Sequence, residues 1–262
     1  MTDALFSYLL RLGDTSLVLG HRLSEWCGHA PELEEDIALT NVALDLVGHA
    51  RMLLTYAGTV EGRGRDEDRL AYHRDILDYR NHLLVEQPNR DFGHTIVRQF
   101  LHDAWAVELY ERLAASRDAG LAGIAAKAVK EARYHVRHSG EWLVRLGDGT
   151  AVSRARVADA LDRLWSYTGE MFETDAAEGA DGGSDGGVGE DELVRAGIAA
   201  DPAALRAAWN ARVDAVLADA TLPRPADGWM RTGGRAGQHS EHLGYLLAEM
   251  QFLPRAYPDA TW

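Results

Sequence analysis

The chain has 262 residues, of which 46% are hydrophobic and 26% charged, the balance of a soluble globular protein large enough for one sizeable core. Its formal net charge of −14 argues against nucleic acid and against anionic membrane surfaces, both of which need a basic face. A single cysteine, Cys27, excludes an internal disulfide, which fits a reducing, cytoplasmic location.

The N-terminus, MTDALFSYLLRLGDT, lacks the basic stretch, apolar run and cleavage site of a signal peptide. No uninterrupted apolar stretch approaches ~20 residues, so no membrane span is expected. From Leu5 to Cys27 apolar residues recur at helical spacing, and Asp14 or Thr15 is a candidate cap for the main part of that helix.

A second helix is expected from about Pro31 to Ala57, with four acids in its first turn, where the helix dipole favours negative charge. Leu33, Ile37, Leu44, Val47 and Leu54 trace one apolar stripe, and Ala43, Leu46, Ala50 and Leu53 widen it. So broad a stripe implies burial against more than one neighbour.

A glycine-rich loop at 58–64 leads to a shorter helix over 66–86, and Pro88 ends it. Long helices follow over about 92–116 and 121–146, then a fifth over 153–172. The segment near 174–192 is a flexible acidic insertion by composition: Glu173 to Glu192 holds eight acids and no base. Further helices are expected over 202–220 and 238–253.

The pattern reads as an all-α, ferritin-like helix bundle in a single domain, 1–262. Two antiparallel hairpins, 14–57 and 92–146, carry the four long core helices, and additional helices follow toward the C-terminus.

A ferritin-like bundle raises the question of a di-iron centre. That centre takes a Glu from each of two helices and a Glu-x-x-His from each of the other two. None of the eleven histidines has Glu three residues earlier. The nearest matches are Asp45-Leu46-Val47-Gly48-His49 and Glu131-Ala132-Arg133-Tyr134-His135, with hydrocarbon at the required position and an acid one residue too early. These are either a remodelled metal site or acid–histidine pairs at i,i+4 that satisfy one another. The same spacing recurs at Glu25/His29 and Asp78/His82, which favours the second reading.

Three other features carry weaker signals. His239 and His242 flank Glu241 as half of a zinc site without further ligands. The segment Thr232–Gly237 is a glycine-rich turn able to cradle an anion, although it follows no strand. Cys27, near a helix end, reads as a buried structural thiol. Most of the seven tryptophans fall on apolar faces and are expected in the core. Trp262, at the extreme terminus, is instead a candidate interface anchor.

Four blocks, RLGDTSLVLGHRLSEWCGHAPELEEDIAL, LLVEQPNRDFGHTIVRQF, AKAVKEARYHVRHSGEWLVRLGDGT and RTGGRAGQHSEHLGYLLAEMQFLPRAYPDATW, resemble the C-subunit family of the bacterial phenylacetyl-CoA epoxidase. The resemblance spans nearly the whole chain, and the acidic insertion is its main departure. It implies a metal-free, ferritin-like structural subunit of a phenylacetate-degrading oxygenase, with no catalytic or metal-ligating residue of its own. Asp45, Leu46, His49, Glu131, Ala132 and His135 are then vestigial positions. A related A subunit would carry the di-iron centre and pair with this chain. FAD, an iron–sulfur cluster and NADPH would serve other components. The alternative is an independent di-iron oxygenase with unorthodox ligands, drawn from Asp45, His49, Asp103, Glu108, Glu131 and His135.

Overall fold

A computed structural model describes residues 2–173, 189–258 and 260. The expected acidic insertion falls mostly on 174–188, and Trp262 falls beyond 260, so both lie outside the described residues. Every regular element among the described residues is a helix, as an all-α helix bundle requires. The chain forms two compact units, Met1–Gln87 with Gly233–Trp262, and Pro88–Thr232.

The first unit is built on α1 (Thr2–Ser24) and α2 (Leu33–Glu61), packed along their length. Glycine lets them approach closely: a Cβ at Gly20 would sit 3.2 Å from the backbone oxygen of Ala43. The turn between them is held by Asp36, whose carboxylate accepts from the N–H groups of Gly28 and Ala30. Gly62, in the left-handed region at φ 69°, closes α2 with an N–H bond to Gly58 O.

α1 runs unbroken through Gly13, Asp14 and Thr15, so the expected cap there is wrong. Asp14 is fully buried, and its carboxylate pairs with the Arg74 guanidinium and accepts from the Arg80 N–H at 2.9 Å. It binds a distant cation rather than its own helix.

The expected helix over 66–86 is likewise three pieces: α3 (Glu67–Tyr72), a 3₁₀ turn at Ile76–Asp78, and α4 (Leu83–Glu86). Side-chain donors, most of them distant in sequence, take the backbone carbonyls where a continuous helix would have run. Arg74 O accepts from Gln251 and Arg255, Asp78 O accepts from Arg74, and Tyr79 O accepts from His239.

The second unit is built on α5 (Phe92–Leu113) and α6 (Ala119–Gly147), with α7 (Ala151–Trp165), α8 (Glu190–Arg195) and α9 (Pro202–Asp219). The starts of α5 and α6 are capped as their sequences direct. Asp91 accepts from His94 N and Asp118 from Leu121 N, each at 2.8 Å. Pro202 opens α9 behind the Asp201 cap. α8 begins inside the region read as insertion, so that segment ends earlier than 192.

Trp105, Trp165 and Trp209 are buried, and each indole N–H is satisfied, by Met171 O, Asp227 and Leu101 O respectively. Trp229 departs from the expectation for tryptophans and is exposed. Cys27 is also exposed, because it sits in the turn after α1 rather than on its buried face.

The last helices of the chain, α10 (Glu241–Met250) and α11 (Phe252–Ala256), return to the first unit. Gln251 between them donates both to Arg74 O and to the Tyr79 hydroxyl.

Removing the Arg74 side chain strands the Asp14 charge and frees the Asp78 carbonyl that it holds. We expect Arg74→Met to cost about 3–5 kcal/mol in urea unfolding, and a change below ~1 kcal/mol would show the pair to be dispensable.

Candidate functional site

The two stations singled out in the sequence lie on α2 and α6, and each has the same local design. On α2, Leu46 and His49 are buried and Asp45 is half-buried. On α6, Ala132 and His135 are buried and Glu131 is half-buried. One residue of helix turns a side chain by about 100°. An acid four residues before histidine is therefore rotated away from the position a Glu-x-x-His motif uses. Methyl and isobutyl groups fill the inward position instead.

The other carboxylates weighed as ligands are engaged by protein donors. Asp103, buried on α5, accepts from Ser139 Oγ at 2.8 Å and from Gln99 Nε2 at 2.7 Å, with His102 Nδ1 at 3.4 Å. The Ser139 bond to Asp103 ties α6 to α5. Glu108 accepts from Arg112 at 2.8 Å and Arg212 at 2.6 Å. Burial works against its charge, but the hydrogen bonds from both arginines outweigh it and hold the carboxyl below its ordinary range.

No group of three or more His, Cys, Asp or Glu able to hold a metal occurs among the described residues. The donor set does not fit a carboxylate-bridged metal pair.

The weaker signals resolve into one internal device. His239 has both ring nitrogens engaged, Nδ1 with Glu86 Oε1 at 2.6 Å and Nε2 with Tyr79 O at 2.9 Å. Glu86 is fully buried and also accepts from Asn81 Nδ2 at 2.9 Å, from Ser240 N at 2.8 Å and from Ser240 Oγ at 2.6 Å. A carboxylate has about four lone-pair sites, and all are used.

The half-zinc reading of His239 therefore gives way to a histidine hydrogen-bonded to a buried carboxylate. The glycine-rich turn before it closes on itself, with the N–H groups of Ala236 and Gln238 both bonded to Gly233 O. Gly233 and Gly237 take positive φ to make that turn. The anion it helps present to a backbone N–H is the chain's own Glu86.

Arg22 completes the junction. It donates to Glu86 O at 3.1 Å and to His242 O at 3.0 Å, joining α1 to α4 and α10.

Sequence reasoning misses Arg22, Asn81 and Glu86. The pairing spans 153 residues from Glu86 to His239, and no local pattern announces it.

A separate cavity of about 430 Å³ lies at the start of α5, lined by Arg90, Asp91, His94, Ala155, Arg156 and Asp159. His94 is buried there. Burial, then the positive charges of Arg98 and Arg90, lower its pKa to about 4, against weaker opposing pulls from Asp91 and Asp159.

Among the described residues one helix, Leu33–Glu61, is long and apolar enough to cross a membrane by length and composition. Asp45 interrupts the run, yet alanine, leucine and valine keep the helix apolar on average.

A family model described as phenylacetic acid catabolic protein matches residues 1–262. The chain is 52% identical, over 99% of its own length and all of the other's, to an Escherichia coli K12 protein named as the C subunit of 1,2-phenylacetyl-CoA epoxidase.

Two stability tests follow from this geometry. His239→Ala removes one of the four hydrogen-bond partners of the buried Glu86 carboxyl and should cost about 1–3 kcal/mol, with amide-exchange protection lost across α10. An unchanged exchange pattern would show that the junction does not hold that helix.

His94 is proton-poor when folded and takes a proton below 6.5 when unfolded. Its contribution to stability is full above that pH and is lost as pH falls toward 4. Wild type should therefore lose stability between those limits more steeply than His94→Asn, and parallel pH profiles would refute the assignment.

Proposed function

The chain belongs to the phenylacetic acid catabolic protein family, and from that premise we propose that it is the non-catalytic, C-type subunit of a phenylacetyl-CoA epoxidase. The observation that carries this reading is the buried hydrocarbon of Leu46 and Ala132 where a Glu-x-x-His site needs carboxylates. Full-length similarity to a protein named as a C subunit supports the same assignment.

In this reading the chain acts in phenylacetate breakdown without performing the chemistry. A related A subunit holds the di-iron centre and the thioester. FAD and an iron–sulfur cluster carry electrons from NADPH on another component. This chain contributes a rigid helical surface that keeps its partner folded and soluble, in the cytoplasm.

The rigidity has a physical source. Asp14, Glu86, Asp103 and Glu108 are each bound by internal donors, which fixes helix against helix within each unit.

The competing reading, an independent di-iron oxygenase, draws on the same acids. Asp103 and Glu108 would first have to release Ser139, Gln99, Arg112 and Arg212, at the cost of stranding those groups.

The test is reconstitution of epoxidation from purified components. Activity should depend on this chain, and should stay within about twofold of wild type when Asp45→Ala or Glu131→Ala replaces it, since a residue outside the chemistry contributes little to the barrier. A loss of about 100-fold, near 2.7 kcal/mol, in either variant would place the chemistry in this chain.

A further inference from the structure

The cavity at the start of α5 contains a buried polar side chain with no partner among the described residues. His94 is 5% exposed and lines that cavity, and neither of its ring nitrogens meets a hydrogen-bonding group of the described protein. Its backbone is satisfied, since His94 N donates to Asp91 at 2.8 Å. Buried polar side chains are ordinarily hydrogen-bonded. An unpartnered imidazole facing a cavity therefore marks a place for a ligand.

The cavity is built where α7 meets the first turn of α5. Gly93 permits that approach, since a Cβ there would stand 3.3 Å from Val157 Cγ1 and 3.7 Å from Arg156 Cβ. Arg156 thereby reaches the cavity wall, and Arg90 joins it from the turn before α5. Arg98, fully buried one turn further along α5, adds a third positive charge that acts on His94. Two acids also line the cavity, but each is answered. Asp91 caps α5 and lies 3.9 Å from Arg156, and Asp159 is bonded to Arg163 at 2.6 Å. Arg90 makes no hydrogen bond or ion pair among the described residues, and Arg156 has only the long contact with Asp91.

We propose that this cavity binds a phosphate-type oxyanion, held by the guanidinium groups of Arg90 and Arg156 and by the His94 imidazole N–H. Three donors from separate residues suit an anion whose oxygens point in several directions, and guanidinium forks bond phosphate oxygens in pairs. The first turn of α5 adds the positive end of its helix dipole. Burial, with the charges of Arg98 and Arg90, keeps His94 uncharged, and a bound anion relieves that positive field. A volume of about 430 Å³ lies in the range of small-ligand sites and admits either free phosphate or a phosphate monoester. The site does not depend on the assignment of the chain as an epoxidase subunit.

The test uses the full chain, isotope-labelled at histidine, with the His94 ring resonance identified by its loss in His94→Asn. Sodium phosphate replaces sodium chloride at neutral pH and constant ionic strength, so that screening does not change. The His94 resonance should shift and saturate. Arg90→Gln with Arg156→Gln should weaken the apparent affinity by about 10- to 100-fold, the effect of losing two charge-assisted contacts. Both arginines are exposed, so the Tm of that variant should match wild type.

Glycerol phosphate in a parallel titration separates the two sources. Tighter saturation by the monoester identifies an organic phosphate, tighter saturation by the inorganic ion identifies free phosphate, and either result supports the site. A resonance that stays still, or drifts without saturating, overturns the proposal. Equal affinity in wild type and the double variant overturns it as well, because the arginines are then not ligands. Saturation by acetate at lower concentration than phosphate would make this a carboxylate site, and saturation by calcium would make Asp91 and Asp159 the ligands. Each of those results contradicts the assignment.

Discussion

A carboxylate buried between helices must be neutralised, and the same oxygens cannot serve both an internal donor set and a metal. This chain commits four buried carboxylates to internal donors. Asp14 takes Arg74, Glu86 takes His239 with Asn81 and Ser240, Asp103 takes Ser139 and Gln99, and Glu108 takes Arg112 and Arg212. Each arrangement trades potential ligand chemistry for fixed geometry. Breaking any one exposes a desolvated charge, which costs more than the bond itself contributes.

The same constraint explains how the ends of the chain meet. α10 and α11 are short helices with exposed flanks, and their burial alone is modest. Gln251 on Arg74 and Tyr79, and His239 and Ser240 on Glu86, hold them against the first unit. Directional hydrogen bonds at these points fix position in a way that interchangeable leucines do not.

The helices are legible in the sequence because they follow period and punctuation. Pro202 behind Asp201, Asp118 before Leu121, and Asp91 before His94 all mark starts that the structure keeps. The chain is illegible where a long-range partner overrides local preference. Asp14 has the look of a cap but reaches Arg74, and residues 66–86 have helical composition but surrender backbone carbonyls to Gln251, Arg255 and His239. The α2 stripe shows from its breadth that it needs more than one neighbour. It does not show which rows face the core, since leucine at 33 and leucine at 39 are the same to a periodicity argument. At the candidate site, Leu46 and Ala132 are plain from spacing alone. The Glu86 junction is invisible because its members are scattered over separate stretches of chain.

The central claim is that this chain is a partner of an iron-bearing subunit and not a second iron protein. Metal analysis of the purified, anaerobically loaded complex, with iron assigned to each subunit by native mass spectrometry, tests it directly. The account predicts one di-iron centre per pair of chains, carried by the catalytic subunit. A second stoichiometric centre on this chain would contradict it.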